Sequence, residues 1–386
     1  MTQISDAAPT VFDDALPIFV FGTLRDPDVL ALALGDARDL VDPVPASLPD
    51  HAAWTAAAGP FPALRPEPGV SAPGLLLLPG SALVRERLDS FEGPFAYALV
   101  AITVEGPDGP VEALTYLDDA VAVTDRPWRL EDWADTEKPL FLEMAREVAR
   151  FGQVEAHGRG GLLRRATARL RARHQHIAPQ LRSDFGPDDI AKHEVRRRHN
   201  GFFITEEHRF RHRRFDGSMS GRITREAFVT GDTVSVLPWD PRTDRVLLIE
   251  QIRTGLLARG EPNPWHLEVV AGFIDRDEPA EEAARREALE ESGLTLGRMY
   301  RIGQFYLSPG ALTEVMTSFI GEADLSDVAD GVHGVATENE DIRAFVVPRA
   351  EAVAALDTGE AANAPLAFSL MALELHRERL TRAWAG

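Results

Sequence analysis

Residues 272–294 constrain the fold more than any other part of this 386-residue chain. Pro279 and Gly293 bracket a run of Ala, Glu, Arg, Leu and Ser in which no other proline or glycine occurs. Proline is favoured at the first position of a helix, and glycine is favoured just beyond its last turn. The run therefore predicts a helix that begins at Pro279 and ends before Gly293.

Three carboxylates fall on one face of this predicted helix. Glu287 and Glu291 are four residues apart and Glu287 and Glu290 are three apart, which are the spacings of neighbours on a helical surface. Adjacent like charges repel one another, and a hard divalent cation such as Mg²⁺, which prefers carboxylate oxygens, would relieve that repulsion. The alternative is an ordinary solvated acidic face balanced by Arg285 and Arg286. The spacing within the helix leaves both interpretations open.

The wider pattern of glycine, glutamate and arginine favours the cation. These residues stand at fixed offsets: Gly272, Glu278, Arg286-Glu287, Glu290-Glu291 and Gly293-Leu294. The series resembles the signature of the Nudix hydrolases, and its one departure is Ala288, where a larger aliphatic residue is usual. The resemblance implies an α/β/α sandwich in which Glu287, Glu290, Glu291 and the carbonyl of Ala271 hold Mg²⁺, with Mn²⁺ as an alternative, on a diphosphate.

The flanking sequence resembles a narrower group, the bacterial ADP-ribose pyrophosphatases. The similar segments are Phe202-Phe203, residues 208–215, Arg225-Glu226, residues 249–253, Pro264-Trp265, residues 268–272, Pro309 and residues 337–342. Pro309 follows Gly293 by sixteen residues, which is a marker of this group. The resemblance implies hydrolysis of ADP-ribose to AMP and ribose 5-phosphate, although close relatives cleave GDP-mannose or other nucleotide sugars.

The resemblance also implies a base and two cationic ligands for the substrate. In residues 337–342, Glu338, or Glu340 as the second choice, would be the general base that activates water. A carboxylate can do this if it reaches the nucleophile and its acidic neighbours raise its pKa. Arg225 and Arg253 would grip the diphosphate or the terminal ribose, because a guanidinium matches phosphate oxygens bidentately.

An aromatic contact and a homodimer are implied in the same way. Phe202 or Phe203 would stack on adenine, and burial in the core of a strand is the alternative. In this group the site is similar to one shared across a homodimer, so Glu268 and the N-terminal strands would be exchanged between subunits. A regulatory protein that senses ADP-ribose without hydrolysing it is the alternative from another functional class, and the complete set of acidic residues disfavours it.

The N-terminal part of the chain carries a second motif. A short apolar run ends in Phe21 and is followed by Gly22-Thr23-Leu24, and Glu92 comes about seventy residues later. The pattern resembles the γ-glutamylcyclotransferase-like (AIG2-like) fold, in which a tyrosine usually stands where this chain has Phe21. The resemblance implies that backbone N–H groups of Gly22, Thr23 and Leu24 bind a substrate carboxylate and that Glu92 shuttles a proton. The alternative is a domain retained for folding or assembly, with Glu92 on its surface.

Local patterns in the first half of the chain predict several elements. Asp26 would cap a helix over 27–34 that has Pro27 at its first position, and residues 74–78 are predicted to form a strand. A hairpin is predicted around Gly106–Gly109, and Leu140, Met144 and Val148 would form one stripe of a helix.

The predicted organisation is an α+β chain of two domains. It comprises a flexible tail at 1–16, a γ-glutamylcyclotransferase-like β-barrel/α domain at 17–127, a helical arginine-rich connector at 128–187 and a Nudix α/β/α sandwich at 188–386. This fusion looks like bacterial tellurite-resistance proteins of the same architecture. Between Arg159 and His199, eleven Lys or Arg and four Asp or Glu give a local charge of +7. The run is either a patch for nucleic acid or polyphosphate or a solvated connector. The connector is favoured, because no stacking aromatic residues interleave between Arg159 and Arg182.

Composition excludes several classes of function. Lys and Arg number 41 against 61 Asp and Glu, and the net charge of −20 disfavours generic binding to nucleic acid or to an anionic membrane. The absence of cysteine excludes disulfides, thiolate metal sites and cysteine nucleophiles. We find neither a secretory signal nor an apolar run long enough to span a membrane, and so expect a cytoplasmic protein. A bifunctional enzyme that also acts on γ-glutamyl compounds remains a further alternative.

Overall fold

The computed structural model describes residues 13, 15–57, 59, 61–93, 97–117, 120–151, 158–175, 179–276, 278–335 and 340–384. The chain divides into two compact units, of which the first comprises Met1–Ile190 and Arg196–Ile204 and the second Ala191–Val195 and Thr205–Gly386. Most of the tail predicted at 1–16 lies outside the described residues. No described helix is both long and apolar enough to cross a membrane.

A β-barrel lies at the centre of the first unit. Its strands are β1 (Ile18–Phe21), β2 (Asp42–Ala56), β3 (Pro62–Leu78), β4 (Ala98–Gly106), β5 (Gly109–Leu117) and β6 (Val123–Pro127). The strand order is β3-β1-β5-β4-β2-β6, and an additional pairing of β2 with β3 closes the first five strands into the barrel. The predicted hairpin is confirmed, because Gly106 and Gly109 pair at the turn between β4 and β5.

Two helices, α1 (Pro27–Leu34) and α2 (Ala82–Glu92), pack against the barrel. The predicted start of α1 is confirmed, because the Asp26 carboxylate accepts hydrogen bonds from the N–H groups of Asp28 at 3.0 Å and Val29 at 3.3 Å. These bonds satisfy donors that the first turn of a helix otherwise leaves without partners. The short chain between β1 and α1 is thereby fixed, and it holds Gly22, Thr23 and Leu24.

The segment predicted as a connector folds as part of the first unit. It forms α3 (Leu130–Thr136), α4 (Lys138–Phe151) and α5 (Gly158–His174). The predicted stripe of Leu140, Met144 and Val148 is buried in one hydrophobic cluster with residues of β1 and α1. An amphipathic helix is stabilised by covering its apolar face, and the barrel domain supplies that cover. The helices therefore extend the first domain rather than forming a separate connector.

Three arginines of the arginine-rich run pair with one buried carboxylate in the first unit. The side chain of Glu147 on α4 is 1% exposed, and it forms ion pairs with Arg165 at 2.6 Å, with Arg169 and with Arg197 at 3.0 Å. The Arg197 guanidinium also lies 4.1 Å from the centroid of the Phe151 ring. Burial alone would raise the pKa of Glu147, but the charges of Arg165 and Arg169 outweigh it and hold that pKa at about 2. These arginines act within the fold, which disfavours a nucleic-acid patch.

Two further sheets follow the barrel. The smaller has the order β7-β8-β9, and the larger has the order β14-β15-β10-β11-β17-β16, with β12 paired to β11 and β13 to β10. The strands are β7 (Ile190–Asn200), β8 (Ile204–His212), β9 (Ile223–Val229), β10 (Thr233–Asp240), β11 (Arg245–Ile252), β12 (Trp265–Glu268), β13 (Val270–Phe273), β14 (Met299–Tyr306), β15 (Val315–Glu322), β16 (Gly331–His333) and β17 (Ile342–Pro348). β10 is parallel to β15 and antiparallel to β11, so the larger sheet is mixed.

Helices cover both faces of the larger sheet. α7 (Ala280–Ser292) lies against one face, and α8 (Arg349–Thr358) and α9 (Ala364–Trp384) lie against the other; the short α6 (Thr254–Arg259) follows β11. Side chains of β10 alternate between the faces: Val234 and Val236 are buried with α7, whereas Leu237 and Trp239 are buried with α9. The arrangement confirms the predicted α/β/α sandwich.

Candidate active site

Helix α7 lies against strand β13, and Gly272 allows their close approach. A Cβ atom at Gly272 would lie 2.1 Å from the carboxyl carbon of Glu287, so any larger residue there would displace that carboxylate. The helix begins at Ala280, one residue later than predicted, because Pro279 has an extended conformation with ψ 145°. Gly293 follows the last turn in a left-handed conformation at φ 69°, which confirms the predicted end.

Glu291 is buried and Glu287 is partly buried on the face of α7 that meets the strand. The Glu287 side chain is 13% exposed, and Glu291 is 4% exposed. One oxygen of Glu291 accepts a hydrogen bond from the N–H of Ala271 at 3.0 Å. Burial raises the pKa of Glu287 to about 7 and the pKa of Glu291 to about 8, and nearby carboxylates add to the effect. A positive charge beside these side chains would therefore stabilise their ionised, carboxylate forms near neutral pH.

Arg286 connects the acidic residues around the helix, in keeping with the alternative of an acidic face that Arg285 and Arg286 balance. Its Nη1 donates hydrogen bonds to Glu287 at 2.7 Å and to Glu290 at 3.1 Å. Its Nε and Nη2 donate to the two carboxylate oxygens of Glu278, each at 3.0 Å. The spacing of Arg286 and Glu290, one helical turn apart, accounts for their pairing, whereas the pairing with Glu278 was not predicted.

The loop between β16 and β17 brings another carboxylate to the site. Glu340 accepts a hydrogen bond from the N–H of Val335 at 3.0 Å, and its charge contributes to the raised pKa values of Glu287 and Glu291. Glu338, the first choice for the base, lies outside the described residues. Glu340 is thus a described residue of this loop that acts electrostatically on the helix.

Arg253 and Glu268 form a two-point ion pair at the end of β11. The Nε of Arg253 donates to Oε1 of Glu268 at 2.9 Å, and its Nη2 donates to Oε2. Glu268 is 5% exposed, whereas the Arg253 side chain is 44% exposed. The charge of Arg253 also lowers the pKa of Glu291, which partly opposes the effect of burial. The charge of Arg253 therefore acts on a carboxylate of α7, and part of its guanidinium remains accessible to solvent.

Two of the predicted substrate-binding residues are not joined to these carboxylates. Arg225 is exposed on β9 and donates to the carbonyl of Thr224 at 2.8 Å; within the described part of the chain, no hydrogen bond or ion pair connects it to α7. Phe202 belongs to the first unit and is 61% exposed, and its ring lies 4.9 Å from that of Phe203, which is 53% exposed. Burial in a strand core is therefore wrong for both rings, and stacking on a base stays a prediction.

The donors around α7 suit a hard divalent cation. The carboxylates of Glu287, Glu290 and Glu291 and the carbonyl of Ala271 would offer oxygen only, which is the donor that Mg²⁺ and Mn²⁺ prefer. Among the described residues, no three His, Asp or Glu side chains already converge as ligands of one ion. Arg286 donates hydrogen bonds to two of these carboxylates. The residues fit a cation in their chemistry, and that cation would compete with Arg286.

The first unit has a small cavity at its own motif. The cavity is lined by Phe21, Thr23, Leu24, Glu92 and Tyr116 among other residues. Its volume is about 40 Å³, which is enough for about three water molecules. Glu92 is 9% exposed, so the alternative that places it on the surface is wrong.

Local contacts explain why residue 22 is a glycine and why Tyr116 keeps its proton. Gly22 has φ +62°, and a Cβ atom there would lie 2.3 Å from Pro62, so backbone conformation and space both require glycine. The Tyr116 hydroxyl, which the sequence analysis did not single out, donates to Asp89 at 2.5 Å. Burial and the hydrogen bond to Asp89 raise the pKa of Tyr116, so its phenol keeps its proton.

Comparison with known proteins identifies the second unit. The NUDIX domain model matches residues 229–369. The ADP-ribose pyrophosphatase of Escherichia coli (strain K12) is 42% identical over 201 residues, which are 52% of this chain and 95% of that protein. The chain belongs to the Nudix family.

Other Nudix relatives include two enzymes with different named substrates. The ADP-ribose pyrophosphatase of Haemophilus influenzae is 36% identical over 48% of this chain and 86% of that protein. The GDP-mannose pyrophosphatase of Citrobacter koseri is 35% identical over 36% of this chain and 71% of that protein.

The AIG2-like γ-glutamyl cyclotransferase model matches residues 18–135. The predicted order, an AIG2-like domain followed by a Nudix hydrolase, is confirmed.

Proposed function

We propose that the Nudix unit hydrolyses ADP-ribose to AMP and ribose 5-phosphate. The observation that carries this proposal is the pair Glu287 and Glu291 above Gly272, with Glu340 near enough to raise the pKa of both. Similarity to ADP-ribose pyrophosphatases over nearly their whole length supports ADP-ribose as the substrate. GDP-mannose is the second candidate, because the relatives named for it match over a shorter region.

The proposed cation site lies on α7 and β13. Glu287, Glu290, Glu291 and the carbonyl of Ala271 would hold Mg²⁺ or Mn²⁺, in keeping with the general dependence of Nudix hydrolases on a divalent metal. When bound, the cation neutralises charge on the diphosphate and favours attack at phosphorus. Without the cation, Arg286 bridges two of the same carboxylates and offsets their charge.

The remaining steps use groups outside the helix. Glu338, with Glu340 as the second choice, takes a proton from water as the water oxygen bonds to phosphorus and the bridging P–O bond breaks. Arg253, oriented by Glu268, presents its remaining N–H groups to the diphosphate or the ribose. A homodimer through the Nudix unit and a cytoplasmic location stay predictions.

An end-point assay tests the proposal. Purified protein with Mg²⁺ is incubated with ADP-ribose, GDP-mannose, NADH and ADP-glucose, and the products are separated and identified. AMP and ribose 5-phosphate from ADP-ribose, formed faster than products from the other three, is the expected result. Preference for GDP-mannose would support hydrolysis of a diphosphate but contradict ADP-ribose as the main substrate. Tight binding of ADP-ribose without cleavage would contradict hydrolysis and support a sensor.

We expect Gly272→Ala to lower kcat on the order of 10²-fold, because the added methyl group must displace the Glu287 carboxylate and displacements of about 1 Å have costs of this size. Gly221→Ala is the matched control, since a Cβ atom there meets nothing within 4 Å. Steady-state rates of both variants, with circular dichroism as a check on folding, measure the effect. Wild-type kcat in Gly272→Ala would show that Glu287 need not lie against the strand.

Cation affinity should fall as pH falls below about 8. The pKa values of Glu287 and Glu291, about 7 and about 8, lie above the ordinary value, so both carboxyls hold protons at lower pH and a cation must displace them. Titration calorimetry with Mg²⁺ at pH 6 to 9, repeated in buffers of different ionisation enthalpy, should detect the release of roughly two protons per ion at pH 6 and few at pH 9.

Glu291→Gln supplies the control for this pH dependence. The variant has one fewer titrating ligand, so its proton release at pH 6 should fall by about one. Equal affinity across the whole pH range in the wild-type protein would contradict the assignment of Glu287 and Glu291 as cation ligands.

A second candidate function concerns the first unit. Glu92 is buried at the cavity that Thr23 and Leu24 also line, which is the arrangement that a γ-glutamylcyclotransferase would need. If the unit releases 5-oxoproline from γ-glutamyl amino acids, Glu92→Gln should lower that rate about 10²-fold and leave ADP-ribose hydrolysis unchanged. Glu86→Gln, on an exposed part of α2, is the matched control. Absence of 5-oxoproline with every γ-glutamyl substrate tried would reject this function and leave the Nudix assignment intact.

A further inference from the structure

Asn363 contacts the ion pair between Arg253 and Glu268 from a third segment of the chain. Its Nδ2 donates to Oε1 of Glu268 at 3.4 Å, and the same oxygen accepts the hydrogen bond from Nε of Arg253 at 2.9 Å. Nη2 of Arg253 donates to the other carboxylate oxygen, Oε2. Because Glu268 is 5% exposed, water has little room to replace either partner. The Glu268 carboxylate is therefore oriented by an amide as well as by the guanidinium.

Helix α9 fixes the orientation of the Asn363 side chain. Residue 363 immediately precedes the helix; its carbonyl accepts a hydrogen bond from the N–H of Ala367 at 2.9 Å, and its Oδ1 accepts one from the N–H of Leu366 at 3.1 Å, as in an N-cap. A backbone N–H can only donate and a carboxylate can only accept, so the amide oxygen faces Leu366 and the amide nitrogen faces Glu268. Leu366 and Leu370 are completely buried against the larger sheet. The helix is therefore a rigid support for this amide.

Arg253 links this support to the candidate active site. Burial alone would lower the pKa of Arg253, but the hydrogen bond and charge of Glu268, with smaller contributions from Glu291 and Glu340, raise it. The backbone of Arg253 is held separately, because its N–H donates to the carbonyl of Pro264 at 2.9 Å. The freedom that remains is in the arginine side chain, and the Glu268 carboxylate is what restricts it.

We propose that Asn363 is a positioning residue for substrate binding, since it holds the Glu268 carboxylate in the orientation in which Arg253 presents its remaining N–H groups to the diphosphate or the ribose. The inference rests on the proposed function of Arg253. Without the amide of Asn363, the Glu268 carboxylate can turn about its side-chain bonds, and the guanidinium turns with it. A binding group that is displaced by about 1 Å loses much of its effect.

Two substitutions at residue 363 separate positioning from helix capping. Asn363→Ser keeps an oxygen that can cap α9, but its shorter side chain carries no amide for Glu268. The KM for ADP-ribose should rise about 10-fold while kcat changes less than about 2-fold, because the lost contact serves the bound substrate and the transition state equally. The thermal midpoint should stay close to that of the wild-type protein. Asn363→Ala loses the cap as well, so it should show the same KM and a lower midpoint. Wild-type KM in Asn363→Ser would overturn the proposal.

A double variant tests whether Asn363 acts through Arg253. Arg253→Ala should raise KM by itself, since it removes the group proposed to bind the substrate. Adding Asn363→Ser to Arg253→Ala should then leave KM unchanged, because no guanidinium is left to position. A further 10-fold rise, on the scale of the single substitution, would show that Asn363 acts independently of Arg253 and would overturn the proposal.

Nuclear magnetic resonance of the full chain labelled with ¹⁵N-arginine tests the same role without turnover. The Nε–H signal of Arg253, assigned by its absence from Arg253→Lys, should exchange with water at least ~5-fold faster in Asn363→Ser than in the wild-type protein. The Nε–H of Arg286, which donates to Glu278 at 3.0 Å, is the internal control and should exchange at the same rate in both. Absence of hydrolysis by the wild-type protein would contradict the proposed function alone, whereas unchanged exchange at Arg253 would overturn the role of Asn363 whatever the substrate.

Discussion

Glu291→Gln is expected to lower kcat for ADP-ribose at least ~10²-fold, because the substitution removes a cation ligand that acts on the transition state. The fold should be retained. Glutamine has the same shape, and its side-chain oxygen can still accept the hydrogen bond that Ala271 donates at 3.0 Å. Burial already disfavours the charged form of Glu291 and raises its pKa to about 8, so a neutral side chain costs the fold little.

Steady-state kinetics at pH 8.5 with saturating Mg²⁺ measures this effect. Glu282→Gln, an exposed residue in the first turn of the same helix, is the matched control and should retain wild-type kcat. The thermal midpoint of Glu291→Gln should be equal to or above that of the wild-type protein. Wild-type turnover in this variant would remove α7 from the proposed cation site, whereas loss of turnover together with unfolding would contradict the expected tolerance of the fold.

Glu147→Ala is expected to destabilise the first unit by about 3–5 kcal/mol, since it leaves buried arginines without their common partner. Arg165 and Arg197 are 11% and 8% exposed at their side chains, so water cannot readily replace the carboxylate. Hydrogen exchange of amides in α4 and α5 measures the free energy of opening in this unit separately from the second. Asp36→Ala is the control, because its ion pair with Arg87 is exposed and should contribute less than about 1 kcal/mol.

The same residue should make the first unit sensitive to acid. The pKa of Glu147 is lowered from 4.5 to about 2, so its ion pairs contribute fully above about pH 4.5 and are lost as pH falls toward 2. That difference corresponds to about 3 kcal/mol. In Glu147→Gln, the decline of stability between pH 5 and pH 2 should be shallower than in the wild-type protein. An identical decline would show that other carboxylates account for acid unfolding.

Helix ends and turns that depend on residues adjacent in the sequence were predicted correctly. The end of α7 at Gly293, the cap of α1 at Asp26 and the hairpin between Gly106 and Gly109 follow from local backbone preferences, and the structure has all three. The long pair β2 and β3 was missed apart from the end of β3. Prolines recur in both strands, for example Pro43 and Pro73, and proline removes a donor that a strand normally uses. Pairing along the barrel outweighs that local signal.

In the candidate site, too, residues on one element were predicted, whereas contacts between separate elements were not. Spacing along the helix indicated Glu287 and Glu291, because one face of one helix carries both. The pairing of Arg253 with Glu268 joins two strands, and its geometry could not be read from the sequence. Glu340 likewise reaches the helix from a loop almost fifty residues further along the chain.

The continuity of residues 272–294 has a consequence for how such a protein can change. Strand β13, the glycine and the acidic helix form one uninterrupted stretch, so a fusion or insertion elsewhere in the chain leaves the proposed cation ligands in register. Arg253 and Glu268, proposed to meet the substrate, and Glu340, a candidate base, come from separate segments. The cation ligands of the helix can therefore be inherited as a single block, while the segments that contact the substrate and the water evolve independently of it.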